Sequence, residues 1–333
     1  MKRSMKRAGA AVLGGVALAG MIGMAEAPSA HAASVRVTVS QYGRLGTGLP
    51  WFIAIKKGVF KKAGIELDNI ISGKGGGTSL RNMLASDTPI GEIATSAVVS
   101  AIKKGVDLVV IYDASSNLGD MTWASMPGKG WKSIKDLVGK RIGYTNPKSA
   151  TEMVLRLSLE AAGIPFDKVK AMPTGGLGAG LTLLRNGGVD AAVIVEPVIS
   201  KSKGKFAQIF RAGAIVPVVT WDVGVTTRAF AKKNGDLLRK LIKIRRESVD
   251  WINSNPKAAA AYYAEYMRIS KDLAEQIVPK FVAWKFLNSG AFDLKGLKTT
   301  VKGLNMVGAI KGEVDWNKYV DQQYLPKDLQ KKL

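Results

Sequence analysis

The stretch PWFIAIKKGVFKKAGI, residues 50–65, decides how the chain folds. Pro50 suits the first turn of a helix, where a missing N–H costs nothing, and Gly64 suits its stop. The spacing predicts a helix over residues 50–62. An alternating strand precedes it at 36–40, and an apolar strand follows at 65–71. Strand, helix and strand in that order make a βαβ unit, whose two strands lie parallel in one sheet.

The alternation continues in both lengths of chain that follow. Helices are predicted over 78–85 and 97–104, with strands over 90–95 and 107–112. Residues 113–130 are looser, with Asn117, Gly119, Pro127, Gly128 and Gly130, and read as a crossover. The pattern then restarts. Ser133-x-x-Asp136 is a capping box opening a short helix. Strands over 140–144, 169–172, 191–195 and 206–212 alternate with helices over 149–162 and 178–186 and one starting at Pro197. Residues 215–227 read as a returning strand. Helices alone follow, over 236–253, 257–267, 271–284 and 295–307. About 300 residues exceed one ordinary core. The expectation is therefore an α/β chain of two lobes joined by two crossings, with a helical C-terminal region. The lobes are expected at 33–118 plus 225–333 and at 119–224.

Residues 1–32 read as a secretory signal peptide. Lys2, Arg3, Lys6 and Arg7 precede an apolar run over 8–24, and Ala30-His31-Ala32 fits a cleavage site. The chain carries 49 basic and 26 acidic residues, a net charge of +23. Four of those basic residues and one acidic residue, Glu26, leave with the leader, so the remainder carries +20. Such a charge steers anions toward the protein. The basic residues are spread out, Lys-rich and on polar helix faces, so they do not read as a nucleic-acid module. The chain has no Cys, and its single His is His31. After cleavage no thiol nucleophile, imidazole base, Cys/His zinc site or disulfide is available. No metal or other cofactor is expected, and no catalytic residue. A lipoprotein anchor also needs a Cys, so the implied compartment is a Gram-negative periplasm.

The opening stretch resembles the solute-binding proteins of ABC importers, in the branch that handles sulfonates, nitrate, taurine and thiamine precursors. Pro50, Ala54, Gly58, Phe60, Gly64 and Ile65 carry that likeness. A second block agrees: Asp136, Leu137, Gly139, Lys140, Ile142 and Gly143, then Ser149-Ala150-Thr151, Ala162-Gly163, Val189-Asp190-Ala191-Ala192 and Glu196-Pro197. The resemblance implies a type II periplasmic-binding-protein fold, a monomer that closes on a ligand, and an inner-membrane permease and ATPase complex as partner. Such a mechanism needs no catalytic residue, so an enzyme is not expected; the lesser alternatives are a secreted enzyme on the same scaffold and a ligand-binding partner of a sensor kinase.

Ligands in open parallel sheets sit beyond the carboxyl ends of the strands. After the first strand, Gln41, Tyr42 and Trp51 offer an amide, a phenol and an indole, although Trp51 equally suits the core. Gly76-Gly77-Thr78-Ser79 starts a helix whose free N–H groups suit an anion. Thr78 or Ser79 as a simple cap is the alternative. Ser96 lies at another strand end. In the second lobe Ser149, Ala150 and Thr151 start a helix, and Ser149 also forms a capping box with Glu152. Glu196 suits a ligand ammonium group, a basic partner or a helix cap. Trp123 and Trp221, near the crossings, suit a ring or alkyl tail, with core packing as the competing role for Trp221. The expected ligand is a small organic anion, such as a sulfonate or an aromatic carboxylate. The alternative is a neutral or zwitterionic heterocycle such as a thiamine-precursor pyrimidine.

Overall fold

The computed structural model describes residues 34–332. The expected leader and His31 lie outside them. The first sheet holds β1 (Val35–Ser40), β2 (Leu67–Gly73), β3 (Ile90–Ala94), β4 (Leu108–Ser115) and β10 (Asp222–Thr227). The second holds β5 (Met121–Ser125), β6 (Arg141–Tyr144), β7 (Lys170–Pro173), β8 (Ala191–Val195) and β9 (Ala207–Arg211).

The helices of the alternating part are α1 (Leu49–Lys56), α2 (Val59–Lys62), α3 (Gly76–Leu84), α4 (Thr95–Ile102), α5 (Ala150–Ala161), α6 (Leu177–Arg185), α7 (Val198–Lys201) and α8 (Ala212–Ile215). After β10 come α9 (Arg228–Lys233), α10 (Gly235–Ser254), α11 (Pro256–Met267), α12 (Lys271–Ala283), α13 (Leu294–Met306) and α14 (Trp316–Tyr319). None of the described helices is long and apolar enough to cross a membrane.

The strand orders are β2-β1-β3-β10-β4 and β7-β6-β8-β5-β9. In each sheet four strands run in one direction, and the fourth position in the order is taken by a single antiparallel strand. That strand is the first to follow a crossing: β5 after β4, and β10 after β9. The two sheets thus repeat one plan. Val35, Val37 and Val39 of β1 point into the core, as a period of two requires.

Two expectations change. The helix predicted over 50–62 breaks at Gly58, which takes the left-handed conformation (φ 63°) and caps α2. Gly does this without the steric cost a side chain would bear. The loose stretch at 113–130 contains a strand, β5. Its five residues are all buried between β8 and β9, and lie too short between glycines and polar residues to stand out.

The C-terminal helices form as expected. α10 and α11 pack on α1, and α12 packs on α11, around Tyr263, Phe281 and Phe286. α13 reaches both halves, touching α4 and α5. A Cβ at Gly303 would lie 2.4 Å from Met153 Cγ and 2.8 Å from Leu157 Cδ1, so this glycine lets α13 approach α5.

Candidate functional site

The carboxyl ends of β3 and β4 and the second crossing are stitched together by the backbone. Thr95 N–H donates to Trp221 O (2.9 Å) and Trp221 N–H to Ser115 O (2.7 Å). Gln41, in the left-handed region at φ 52°, turns the chain out of β1. Tyr42 follows, half-buried, its ring edge-on to Tyr266 at 5.2 Å. Burial pushes the Tyr42 phenol up to about 12, so it stays neutral and able to donate. Ser96 is half-buried in the first turn of α4.

In the second half, a hydroxyl cluster sits at the start of α5. Thr151 Oγ1 lies 2.7 Å from Thr145 Oγ1 and 3.0 Å from Ser149 Oγ, and accepts from Thr145 N–H at 2.8 Å. Ser149 Oγ also accepts from Glu152 N–H (3.3 Å), so the expected cap is formed. Glu152 accepts from Lys148 N–H at 2.7 Å and from Arg156. Ala150, in the first turn, is half-buried.

Buried carboxylates gather where the crossings meet the strand ends. Glu196, at the end of β8, accepts from Ser200 Oγ (2.9 Å) and Ser200 N–H (3.3 Å). Burial raises its proton affinity, with Ser200 and Lys280 opposing. Asp120, in the first crossing, is pushed up to about 7 by burial and by the nearby charge of Glu196. Asp222, at the start of β10, is raised well above the carboxylate range by burial, Glu92 and Asp120. Its Oδ2 is buried without a partner, as is the Tyr263 hydroxyl, which feels the charges of Glu196 and Asp120. Unpartnered buried polar atoms carry a desolvation cost, and that cost gathers here.

A cavity of about 350 Å³ opens between the second sheet and α12. Thr122, Glu196, Ser200, Arg211, Lys280 and Trp284 are among its walls. The Arg211 guanidinium lies over the Trp284 ring, 4.7 Å from its centroid. Lys280 Nζ is 3.4 Å from Ser200 Oγ and 3.9 Å from Glu196 Oε1.

The structure disperses the residues expected from the sequence. Trp51 is in the core: it is 1% exposed, donates to Glu92 Oε2 at 2.9 Å and stacks on Phe60. Trp123 is fully buried, stacked on Phe210 and donating to Gly143 O at 3.1 Å. Ser79 is fully buried within α3, against Gly73. The Gly-rich turn has a packing role at Gly76, where a Cβ would lie 2.7 Å from Ala94 Cβ and 3.1 Å from Ala97 Cβ. Gly77 faces Arg81, and Thr78 Oγ1 accepts from Arg81 at 3.1 Å rather than capping the helix. Gln41, Tyr42, Ser96 and Trp221 gather at the ends of the first sheet, Ser149, Ala150, Thr151 and Glu196 at those of the second.

Arg211, Lys280, Trp284 and Asp120 were not singled out from the sequence. Lys280 and Trp284 read as ordinary residues of an amphipathic helix, some 70 positions from Arg211. Only the packing of α12 against α7 brings them to the end of β9.

A family described as "NMT1/THI5 like" matches residues 48–259. No curated protein matches the chain. Among solved structures, the periplasmic aliphatic sulphonate binding protein SsuA of Escherichia coli is similar at a TM-score of 0.70 and 15% identity, over 86% of this chain and 96% of that one. The alkanesulfonate-binding protein SsuA of Xanthomonas axonopodis pv. citri, bound to MOPS, gives 0.70 and 13%, over 87% and 98%. The desulfurization enzyme DSZB gives 0.61 and 15%, over 87% and 97%. The chain therefore has the periplasmic-binding-protein fold, which carries binding proteins and at least one enzyme.

Proposed function

Because this chain belongs to the NMT1/THI5-like family, we propose that it is the solute-binding component of an ABC importer. It captures a small organic anion, a sulfonate or an aromatic carboxylate, and delivers it to a membrane permease and its ATPase. The proposed compartment is the periplasm, reached through the leader at residues 1–32. The proposed lobes are 33–118 with 225–333, and 119–224. Closure of one lobe on the other holds the solute.

The observation that carries this reading is where the polar groups lie. Gln41, Tyr42 and Ser96 stand at the carboxyl ends of the first sheet; Ser149, Ala150, Thr151 and Glu196 stand at those of the second. Two crossings alone connect the sheets through the chain, and Trp221 lies on one of them. Strand ends are where open α/β sheets bind ligands. The MOPS-bound SsuA neighbour, a sulfonate complex of the same fold, supports the anion class. A DSZB-like catalytic role has less support, since the chain has no cysteine and its single histidine is in the leader.

A second reading, a solute with an ammonium group or a heterocycle with N–H donors, is favoured by one observation. Asp120, Glu196 and Asp222 are buried close together, and Asp222 Oδ2 has no partner. A protonated nitrogen would neutralise that cluster.

The test is a thermal-shift screen of the purified chain with alkyl and aryl sulfonates, taurine, nitrate, aromatic carboxylates and pyrimidines. A solute at 100 times its Kd adds about 2.7 kcal/mol. Shifts with anions support the first reading, and shifts confined to amines or pyrimidines support the second. No shift with any solute of the panel overturns the capture function.

A further inference from the structure

We infer that Arg211, seated on Trp284, is the anchor for the solute's anionic group, and that the solute is a monoanion with a flat apolar body. This rests on the solute-capture reading above and narrows it.

Arg211 is the cation at the boundary without a protein anion. Among the described residues no carboxylate pairs with it, and its one close neighbour of note is the Trp284 ring. Partial burial lowers its proton affinity and no charge restores it. A guanidinium held this way keeps its planar fork of N–H donors for a carboxylate or sulfonate. By contrast the hydroxyls of Thr145, Ser149 and Thr151 are already bonded to one another.

Position agrees with this role. Arg211 ends β9, opposite Thr122 of β5, at the same end of the second sheet as Glu196. Lys280 lies in α12 and Trp284 caps its C-terminus, and that helix packs with the helices around α1. The two halves of the anchor therefore come from elements on either side of the boundary and meet across it. Gly119 of the first crossing fits against Trp284: a Cβ there would lie 2.7 Å from Trp284 Cε3. The indole is thus backed by the crossing.

Charge and shape set the ligand class. The cavity wall holds two cations, Arg211 and Lys280, and one carboxylate, Glu196, and so is complementary to one negative charge. Phe206 and Trp284 supply apolar surface, and a volume of about 350 Å³ admits a small ring compound.

The test titrates the full chain with benzoate and benzenesulfonate, with benzylamine as the cationic counter-probe, following tryptophan fluorescence and calorimetry. The wild type should bind both anions in preference to benzylamine. Arg211→Gln should weaken anion binding by about 30-fold, the range of a charged hydrogen bond. Arg211→Lys, which keeps the charge and loses the fork, should weaken it by about 5-fold. Trp284→Leu should abolish most of the fluorescence response, and Lys233→Gln, a surface charge elsewhere, should change nothing. If Arg211→Gln does not fold, Arg211→Lys decides. Equal affinity of the wild type and the Arg211 variants overturns the inference, as does a wild type that binds neither anion. Solute capture survives either result if another compound of the screening panel raises the melting temperature.

Discussion

Arg245 of α10 and Glu92 of β3 form an ion pair in which both side chains are 1% exposed. Arg245 Nε donates to Glu92 Oε2, and its other N–H groups go to Asn288 O (2.6 Å) and Ala114 O (2.8 Å). Trp51 and Tyr112 donate to the same Oε2 at 2.9 and 3.3 Å. The helical C-terminal region is thereby fastened to the middle of the first sheet.

Removing one partner leaves the other charge buried and alone, which costs about 3–5 kcal/mol. Arg245→Met should therefore destabilise by that amount in urea unfolding. The double variant Glu92→Gln/Arg245→Met should lose clearly less than the two single losses added. Strict additivity would refute the pairing.

Asp113 of β4 is fully buried, accepts from Thr220 Oγ1 at 3.0 Å and is pushed up to about 7 by burial. An unfolded Asp titrates near about 4. Between these values the folded state holds the extra proton, so stability falls as pH rises from about 4 to about 7 and levels off above. Asp113→Asn should remove this slope: its melting temperature should exceed that of the wild type at pH 8 and match it near pH 4. An unchanged wild-type profile in the variant would contradict the assignment.

Asp120 and Glu196 raise the proton affinity of the boundary, Asp120 to about 7. An anion beside Asp120 meets less repulsion once that carboxyl is protonated, and the Glu196 charge is one cause of its raised proton affinity. Benzoate affinity should rise several-fold as pH falls from 8 to 6, measured by calorimetry. Glu196→Gln should raise affinity at pH 8 and reduce the pH dependence. For an ammonium-bearing solute both signs reverse, so one titration separates the two readings.

Gly303 allows α13 to lie against Met153 and Leu157 of α5 while Thr300 Oγ1 donates to Thr220 O at 2.8 Å in the second crossing. Gly303→Leu should overpack this contact and cost about 1–3 kcal/mol. Because α13 touches α4 as well, solution scattering should show a more open molecule. A variant with wild-type stability and dimensions would show that α13 does not brace the crossing.

The sequence by itself determined the alternation of strands and helices, the two crossings and the helical C-terminal region, because Pro, Gly and apolar period act over a few residues. It also located Gln41, Tyr42, Ser96, Ser149 and Glu196 at strand ends. It left two roles open at Trp51, and did not anticipate the packing role of Gly76 or the full burial of Trp123 and Ser79. An indole facing Glu92 and one facing a ligand have the same local sequence. Tertiary structure alone decided those roles, inserted β5 between β8 and β9, and gathered Asp120, Glu196 and Asp222. It also carried Lys280 and Trp284 to Arg211. Such groupings depend on which faces of distant elements meet, and burial and charge act through space without regard to separation along the chain.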